Sequence, residues 1–403
     1  MQRIIFHIDM DSYFATLEQQ ANPFLRGKPV GVSGKEDSRT VIVAASREAK
    51  QFGVKTAMSL FEARKLCPQM YLVEGDGPKY RFVTDEFIKI FKRVSSQVEI
   101  YSIDEAFLDL TGYVNDFKAA RIRALWIKEQ LKIKAGEWVT CSIGIAKNKL
   151  LAKVASDLNK PNGLVVINDT NLFNIIDKLK LTDFWGLGPR INRRLEAMGI
   201  ETVKKLRAYP VAELIKEFGL FYGRKLHDMV RGEDVGSVVS DYNEPAVKSV
   251  SRAYTLDRDT WDKGEIFQVL AHLCYKCGRE LRRKKIAGRT LEYYWRYDDF
   301  THAGFRFTLK KKIDDGLELF KIGQVKLIRY DLAKAVRLVG VRVANLEPVS
   351  GQQLLFTNER KWQRLGPFLD QINDTYGELT IKSAYLVKKS RLRNKIGGFK
   401  YGD

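Results

Sequence analysis

Asp104 and Glu105 stand side by side in Tyr101-Ser-Ile-Asp-Glu-Ala-Phe-Leu-Asp-Leu110, a stretch that is otherwise largely apolar. The run is too short for an amphipathic helix and too apolar for a loop, so it predicts strand, tight turn, strand. Adjacent carboxylates at the tip of a buried hairpin repel each other, and a divalent cation is the simplest group that neutralises them. A solvated acidic turn remains the alternative on this stretch alone. A second acidic row lies at the chain start. In Ile4-Ile-Phe-His-Ile-Asp-Met-Asp11, Ile4, Phe6, Ile8 and Met10 fall on one face of a strand and His7, Asp9 and Asp11 on the other. Asp11 precedes the helical run Ser12–Gln20 and is expected to be its N-cap. Asp9 is placed to meet Asp104 and Glu105 across a sheet. Three carboxylates from two strands suit one or two Mg²⁺ ions bridged by phosphates, because Mg²⁺ takes hard oxygen ligands and relies on substrate to complete its shell.

The rest of the chain must hold these groups. Its 403 residues allow two to four domains, and 45% hydrophobic content is ordinary for a globular protein. A formal charge of +20 and a pI near 9.6 call for a large anionic partner, nucleic acid before anionic membrane. No apolar run approaches the ~20 residues of a spanning helix, and Met1-Gln-Arg-Ile leads into a strand, so a cytoplasmic or nucleoid-associated chain is expected, with no membrane partner. Four cysteines make no disulfide framework. Cys274-Tyr-Lys-Cys277 with His272 has metal-like spacing, but it lies in a helical pattern without a second pair and is expected to be ordinary helix thiols.

Five motifs then occur in register: Ile8-Asp-Met-Asp-Ser-Tyr-Phe-Ala15, Phe52-Gly-Val-Lys-Thr-Ala-Met-Ser59, Ser102-Ile-Asp-Glu-Ala106, Ser142-Ile-Gly-Ile-Ala-Lys-Asn-Lys-Leu-Leu-Ala-Lys153 and Lys160-Pro-Asn-Gly163. Together they resemble the Y-family translesion DNA polymerases of the DinB/UmuC kind, over residues 3–348 with an echo to 387. The resemblance implies an α+β right-hand polymerase: a ferredoxin-like palm at 1–19 and 79–165, small fingers at 20–78, a helical thumb with a helix–hairpin–helix at 166–232, a linker at 233–247, a split β-α-β little finger at 248–348, and a clamp-binding motif with a basic tail at 349–403. The residues agree locally. Lys79–Val94 and Phe117–Ile133 read as amphipathic helices, the first with Phe82, Phe87, Ile90, Phe91 and Val94 inward. Val139–Ile145 reads as a strand running into a helix. The segment after 247 reads strand, helix, strand, strand, helix, strand.

The resemblance also implies roles. Asp9, Asp104 and Glu105 would hold two Mg²⁺, with the Met10 carbonyl as a further ligand. Phe14 would be a steric gate against a ribose 2′-OH, although Phe14 by itself reads as core. Tyr13, Arg47, Lys50 and Lys160 would contact the incoming dNTP. The family usually has Tyr and Arg where this chain has Arg47 and Lys50, and Lys keeps the charge but loses the planar fork. In Phe184-Trp-Gly-Leu-Gly-Pro-Arg190, Gly186 and Gly188 would let backbone N–H groups approach a DNA phosphate at a helix start, with Arg190, Arg193 and Arg194 following. In Phe305–Lys310, Arg306, Thr308 and Lys310 would line one open sheet face, and Lys248 and Arg252 have the parity to share it. Arg337 and Arg342 have opposite parity, so both reach that face only if a bulge at Gly340 intervenes. Gln352-Gln-Leu-Leu-Phe356 resembles a sliding-clamp motif anchored by Gln352, Leu355 and Phe356, with Gln353 where the family has Leu. Leu369, Ile372 and Tyr376 suggest a helix, followed by a basic, flexible end at 388–400. The function so implied is a monomeric, low-fidelity DNA-directed DNA polymerase using primer–template DNA, dNTPs and the clamp. A catalytically inactive DNA-binding scaffold and a palm-type nucleotide cyclase are the other classes left open.

Overall fold

The structure is a computed structural model that describes residues 2–36, 39–240, 247–349, 357–382 and 384–386. The chain divides into two compact units, one built mainly from the residues up to Glu244 and one from Pro245–Asn394.

The first unit is organised on a five-stranded sheet of order β5-β6-β1-β7-β8. These strands are β1 (Ile5–Met10), β5 (Val98–Ile100), β6 (Glu105–Asp109), β7 (Cys141–Ala146) and β8 (Leu164–Val166). β1 is central and antiparallel to both β6 and β7, while β8 joins parallel to β7. Helices α4 (Gly77–Lys92) and α5 (Phe117–Ala135) bury the face carrying Ile4, Phe6, Ile8 and Met10. Helix α6 (Lys149–Leu158) lies against the other face, over β1 and β7. The inward side of α4 is Tyr80, Thr84, Phe87, Ile88 and Phe91, whereas Phe82, expected inside, is 66% exposed. Helix α1 (Tyr13–Ala21) follows β1 and packs on the same core.

Between α1 and α4 the chain makes a small three-stranded sheet, β3-β2-β4, from β2 (Val30–Ser33), β3 (Ala44–Ala45) and β4 (Tyr71–Glu74), with helices α2 (Arg47–Gln51) and α3 (Leu60–Leu66) and its own core around Ile42, Ala49, Val54 and Cys67. The apolar run Thr40–Ala45 is thus a strand only at its end. Beyond β8, helices α7 (Leu172–Ile176), α8 (Pro189–Ala197), α9 (Val203–Ala208) and α10 (Val211–Met229) share one core with the inner face of α6. Residues 233–240 stay with this unit: Val238 is in that core, Arg3 donates to the Gly236 carbonyl at 2.8 Å, and the Val239 N–H donates to Glu99.

The second unit runs β9 (Ser249–Thr260), α11 (Lys263–Arg283), β10 (Ile286–Tyr297), β11 (His302–Ile313), α12 (Gly316–Ile328) and β12 (Val336–Pro348), in the element order the sequence predicts. The strands form an antiparallel sheet, β11-β10-β12-β9, with α11 and α12 packed on one face. Helix α13 (Thr357–Tyr376) is tied to α11 by ion pairs from Arg282 to Asp370 and from Arg279 to Asp374. Cys274 and Cys277 are buried in α11, where burial pushes the Cys277 thiol up to about 12.

Candidate active site

The β1–β6 register pairs Asp9 with Glu105 across the sheet, and the Met10 N–H donates to the Asp104 carbonyl at 2.9 Å. The hairpin and the first strand therefore bring Asp9, Asp104 and Glu105 to one end of the five-stranded sheet. Their environments differ. Burial pushes Asp9 up to about 6, against the opposing pull of Lys160, whose ammonium is 2.9 Å from Asp9 Oδ1. Asp104 is also raised by burial, although the Ser102 hydroxyl donates to it. Glu105 is held down at about 2: burial opposes its charge, but hydrogen bonds from His7 and Lys153 outweigh it.

Those two donors are delivered by a close helix. Gly144 in β7 pairs with His7, and a Cβ there would lie 2.0 Å from the Ala152 carbonyl oxygen and 2.3 Å from the Ser156 nitrogen. Only glycine allows α6 to approach so closely. This contact brings Ser156 Oγ to 2.7 Å from His7 Nδ1 and the Lys153 ammonium onto Glu105. His7 Nε2 is 3.1 Å from Glu105 Oε2, and Lys153 takes the same oxygen. Oε1 takes no hydrogen bond from the described residues. Burial lowers His7 to about 4 and keeps the ring neutral, so a proton on Nε2 serves Glu105 while Nδ1 faces the Ser156 hydroxyl.

Asp9 and Asp104 open onto a cleft of about 550 Å³, lined also by Met10, Tyr13, Phe14, Arg47, Lys50 and Lys160. Phe14 is 7% exposed and stacks on Tyr80, with centroids 4.3 Å apart and planes at 15°, so it packs as core while facing the cleft. The Tyr13 hydroxyl is consumed below, donating to the Tyr80 carbonyl at 3.0 Å and meeting Thr84. Lys50 donates to Ser12 Oγ at 2.8 Å, and burial lowers its pKa. Arg47 hydrogen-bonds Thr140 and lies 3.8 Å from Asp11, while its buried Nε has no partner. Lys160 touches Asp157 at 2.7 Å as well as Asp9; burial opposes its charge, but the two carboxylates hold its pKa above the usual lysine value.

The donor set fits a hard divalent cation. It consists of carboxylate oxygens, and Asp9 carries a charge that the surrounding groups only partly offset. Among the described residues no group of three or more His, Cys, Asp or Glu side chains is arranged to hold a metal ion by itself. A Mg²⁺ site completed by substrate phosphates needs none.

This cleft sits in a chain whose sequence matches known families in three segments. Residues 8–157 match the impB/mucB/samB family, residues 247–356 its C-terminal domain, and residues 182–234 the thumb domain of DNA polymerase iota. DNA polymerase IV of Desulfatibacillum aliphaticivorans is 35% identical over 396 residues, covering 96% of this chain and 97% of that protein. DNA polymerase IV of Pelotomaculum thermopropionicum is 35% identical over 399 residues, covering 98% of each. A solved Y-family DNA polymerase chimera superposes with a TM-score of 0.76 at 26% identity, covering 86% of this chain and 99% of that one. The chain belongs to the Y family of DNA polymerases.

In this Y-family chain the other expected contact residues fall out unevenly. Gly186 has φ 93, a left-handed conformation that favours glycine, and Gly188 caps α8 with Pro189 at its first turn. The segment before this turn is a 3₁₀ turn at Leu181–Asp183 rather than a full helix. Arg190 and Arg193 are exposed, but Arg194 is turned onto α10, bonding Glu217 at 2.7 Å and stacking on Phe218. In the second unit Arg306, Thr308 and Lys310 are exposed on the open sheet face, and Lys248 is exposed just before β9. Arg252 is a correction. It shares parity with the buried Val250, Tyr254 and Leu256 and reaches toward Glu280 of α11 at 4.0 Å, so it lies on the helix-covered side. The open-face residues of β9 are Ser249, Ser251 and Ala253 by the same alternation, and Arg342 pairs with Ser251 and Glu292 on that face. No bulge falls at Gly340, the condition on which Arg337 and Arg342 could share that face: the register shifts near Val336–Leu338 instead, and Gly340 faces the Tyr294 ring. Gln352, Leu355, Phe356 and the basic end lie outside the described residues.

Asp11 is the second correction. Ser12 is the N-cap of α1, with φ 48 and no side-chain cap bond. The Asp11 carboxylate is already used, accepting from Thr140 Oγ1, Ser142 Oγ and the Asn162 N–H at 2.7 Å each. Sequence reasoning also passed over His7, Lys153 and Lys128. Their signals were faint: His7 shares the parity of Asp9, and a strand glycine faces the small residues Ala152, Ala155 and Ser156 of the next helix.

Proposed function

We propose that Asp9, Asp104 and Glu105 are the catalytic carboxylates through which this chain, a DNA-directed DNA polymerase of the translesion type, joins a deoxynucleotide to a primer 3′ end. The observation that carries this reading is the register that sets Asp9 opposite Glu105, with Asp9 and Asp104 opening onto a cleft that also offers Arg47, Lys50 and Lys160. Its substrates are primer–template DNA and dNTPs, and its family is metal-dependent. Two Mg²⁺ ions would be held by the three carboxylates and the Met10 carbonyl, supplying charge neutralisation for the triphosphate and a lowered pKa for the primer hydroxyl.

The chain's own residues do the rest. Lys160 and Lys50 offer point charges to the triphosphate, and Arg47 brings a guanidinium with an unpartnered Nε. His7 and Lys153 fix one oxygen of Glu105 and keep the carboxylate ionised. Phe14, wedged on Tyr80, closes the cleft floor against a ribose 2′-OH. Gly186, Gly188 and Arg190 in the thumb, with Arg306, Thr308, Lys310 and Lys248 in the little finger, supply phosphate contacts that position DNA without reading sequence. We assign palm, fingers, thumb and little finger to 1–19 with 79–165, 20–78, 166–232 and 248–348, the tail to clamp binding through Gln352, Leu355 and Phe356, and the site of action to the cytoplasm and nucleoid. No helix among the described residues is long and apolar enough to cross a membrane. The scaffold and cyclase alternatives are not favoured, because the relatives matched over nearly the whole chain are DNA polymerase IV proteins.

The test is primer extension by the Phe14→Ala variant with dNTP and rNTP. Ribonucleotide incorporation should rise while deoxynucleotide incorporation persists. Unchanged discrimination would remove Phe14 from the site.

A further inference from the structure

The turn that carries Lys160 is gripped at a single residue, Asn162, from two sides. On one side the Asn162 N–H donates to Asp11 Oδ2 at 2.7 Å, and Asp11 is itself 4% exposed and locked by Thr140 and Ser142. On the other side the Lys128 ammonium, from α5, donates to the carbonyls of Asn162, Gly163 and Cys141 at 2.7, 2.8 and 3.0 Å. Ser142 Oγ, which donates to Asp11, also accepts the Gly163 N–H at 3.2 Å. Both backbone polar groups of Asn162 are thus taken by a charged side chain, one from the end of the catalytic strand and one from a helix outside the sheet. Charge-assisted bonds of this kind are about twice as strong as neutral ones, and a turn needs none of them merely to close.

We infer that Asp11 and Lys128 are positioning residues for nucleotide binding, which fix the Asn162 backbone and so hold Lys160 at the cleft rim beside Asp9. The inference rests on Lys160 serving the triphosphate as proposed above. Asp11 lines the cleft, but its carboxylate oxygens are already taken by the Thr140 and Ser142 hydroxyls and the Asn162 N–H of the turn. The consequence is a nucleotide site whose cation is pre-placed. Its loss is felt in nucleotide affinity rather than in the carboxylate chemistry or in DNA binding, because a misplacement of about 1 Å costs heavily in an oriented site.

The experiment measures single-nucleotide incorporation and primer–template affinity for Asp11→Asn, Lys128→Met, Lys160→Ala and both doubles with Lys160→Ala. Lys128 is partly exposed, so Lys128→Met carries the test even if Asp11→Asn fails to fold. The expected result is a roughly tenfold higher KM for dNTP in each single variant, a smaller change in kcat and an unchanged Kd for DNA, with no further rise in KM when either is added to Lys160→Ala. Additive losses in the doubles, or an unchanged KM in Lys128→Met while Lys160→Ala raises it, would overturn the positioning role. An unchanged KM in Lys160→Ala itself would instead overturn the lysine's assignment, and this inference with it.

Discussion

The palm sheet and the little-finger sheet carry charge in opposite ways. The palm sheet is covered on both faces, so each ionic group within it has assigned partners at hydrogen-bond distance. Glu105 is answered by His7 and Lys153, Asp9 by Lys160, and Asp11 by two hydroxyls and a peptide N–H. The little-finger sheet is covered on one face only. On its open side Arg306 and Lys310 stand in solvent, and the ion pair between Arg342 and Glu292 is loose at 3.7 Å. Burial makes each palm contact specific and costly to remove, whereas exposure makes each little-finger contact weak, exchangeable and dependent on salt. A polymerase that must accept distorted templates can keep its chemistry rigid and its grip on the duplex diffuse if the two jobs sit on differently covered sheets.

That contrast can be broken most sharply at Glu105. Glu105→Gln is expected to slow incorporation by roughly a thousandfold, the scale of losing a ligand that stabilises charge in the transition state, with DNA affinity unchanged in a fluorescence-anisotropy titration. A loss shared equally between rate and DNA affinity would show that the palm carboxylates hold DNA rather than do chemistry. Next come the groups behind Glu105: Lys153→Met and His7→Phe should each cost about 10- to 100-fold in kcat, the range seen when the supports of a ligand are removed.

A smaller effect is expected from pH. Burial pushes the Asp9 carboxyl up to about 6, so as pH falls through that value it becomes neutral, and at limiting metal the rate should fall. Because cation and proton compete for it, more Mg²⁺ should move this acidic limb to lower pH; a limb that ignores metal concentration would detach Asp9 from the metal site. Glu105 has the opposite sign in stability. Its depressed pKa stabilises the fold fully above about 4.5, and that contribution is lost as pH falls through about 2, so acid melts of Glu105→Gln should show a flatter pH dependence over that window. The smallest effect belongs to the open sheet. Arg306→Ala should weaken DNA binding a few-fold and reduce the slope of log K against log salt by about 0.9 if it contacts one phosphate. A catalytic defect there without an affinity change would erase the contrast.

Much of this was legible in the sequence where local pattern and final partner coincide. The 98–110 hairpin, the alternating first strand, the strand running into α6 and the whole order of the little finger follow from periodicity and turn residues. What the pattern hides are partners set by long-range packing. Asp11 reads as an N-cap because helix starts attract aspartate, but its oxygens are taken by Thr140 just before β7, Ser142 within it and Asn162 in the turn after α6, so Ser12 is left as the N-cap. His7 and Lys153 become visible only once Gly144 lets α6 settle on the sheet. Arg252 is misplaced in the sequence reading because its parity is matched to the open face, whereas that parity follows Val250 and Tyr254 into the helix-covered side.

The most direct measurement is single-turnover primer extension on an undamaged and an abasic template, with wild type beside Asp104→Ala and DNA affinity measured for both. The account predicts that extension is lost in the variant on both templates while primer–template binding survives. Extension at the wild-type rate by Asp104→Ala would contradict it, because the hairpin tip would then carry no part of the chemistry.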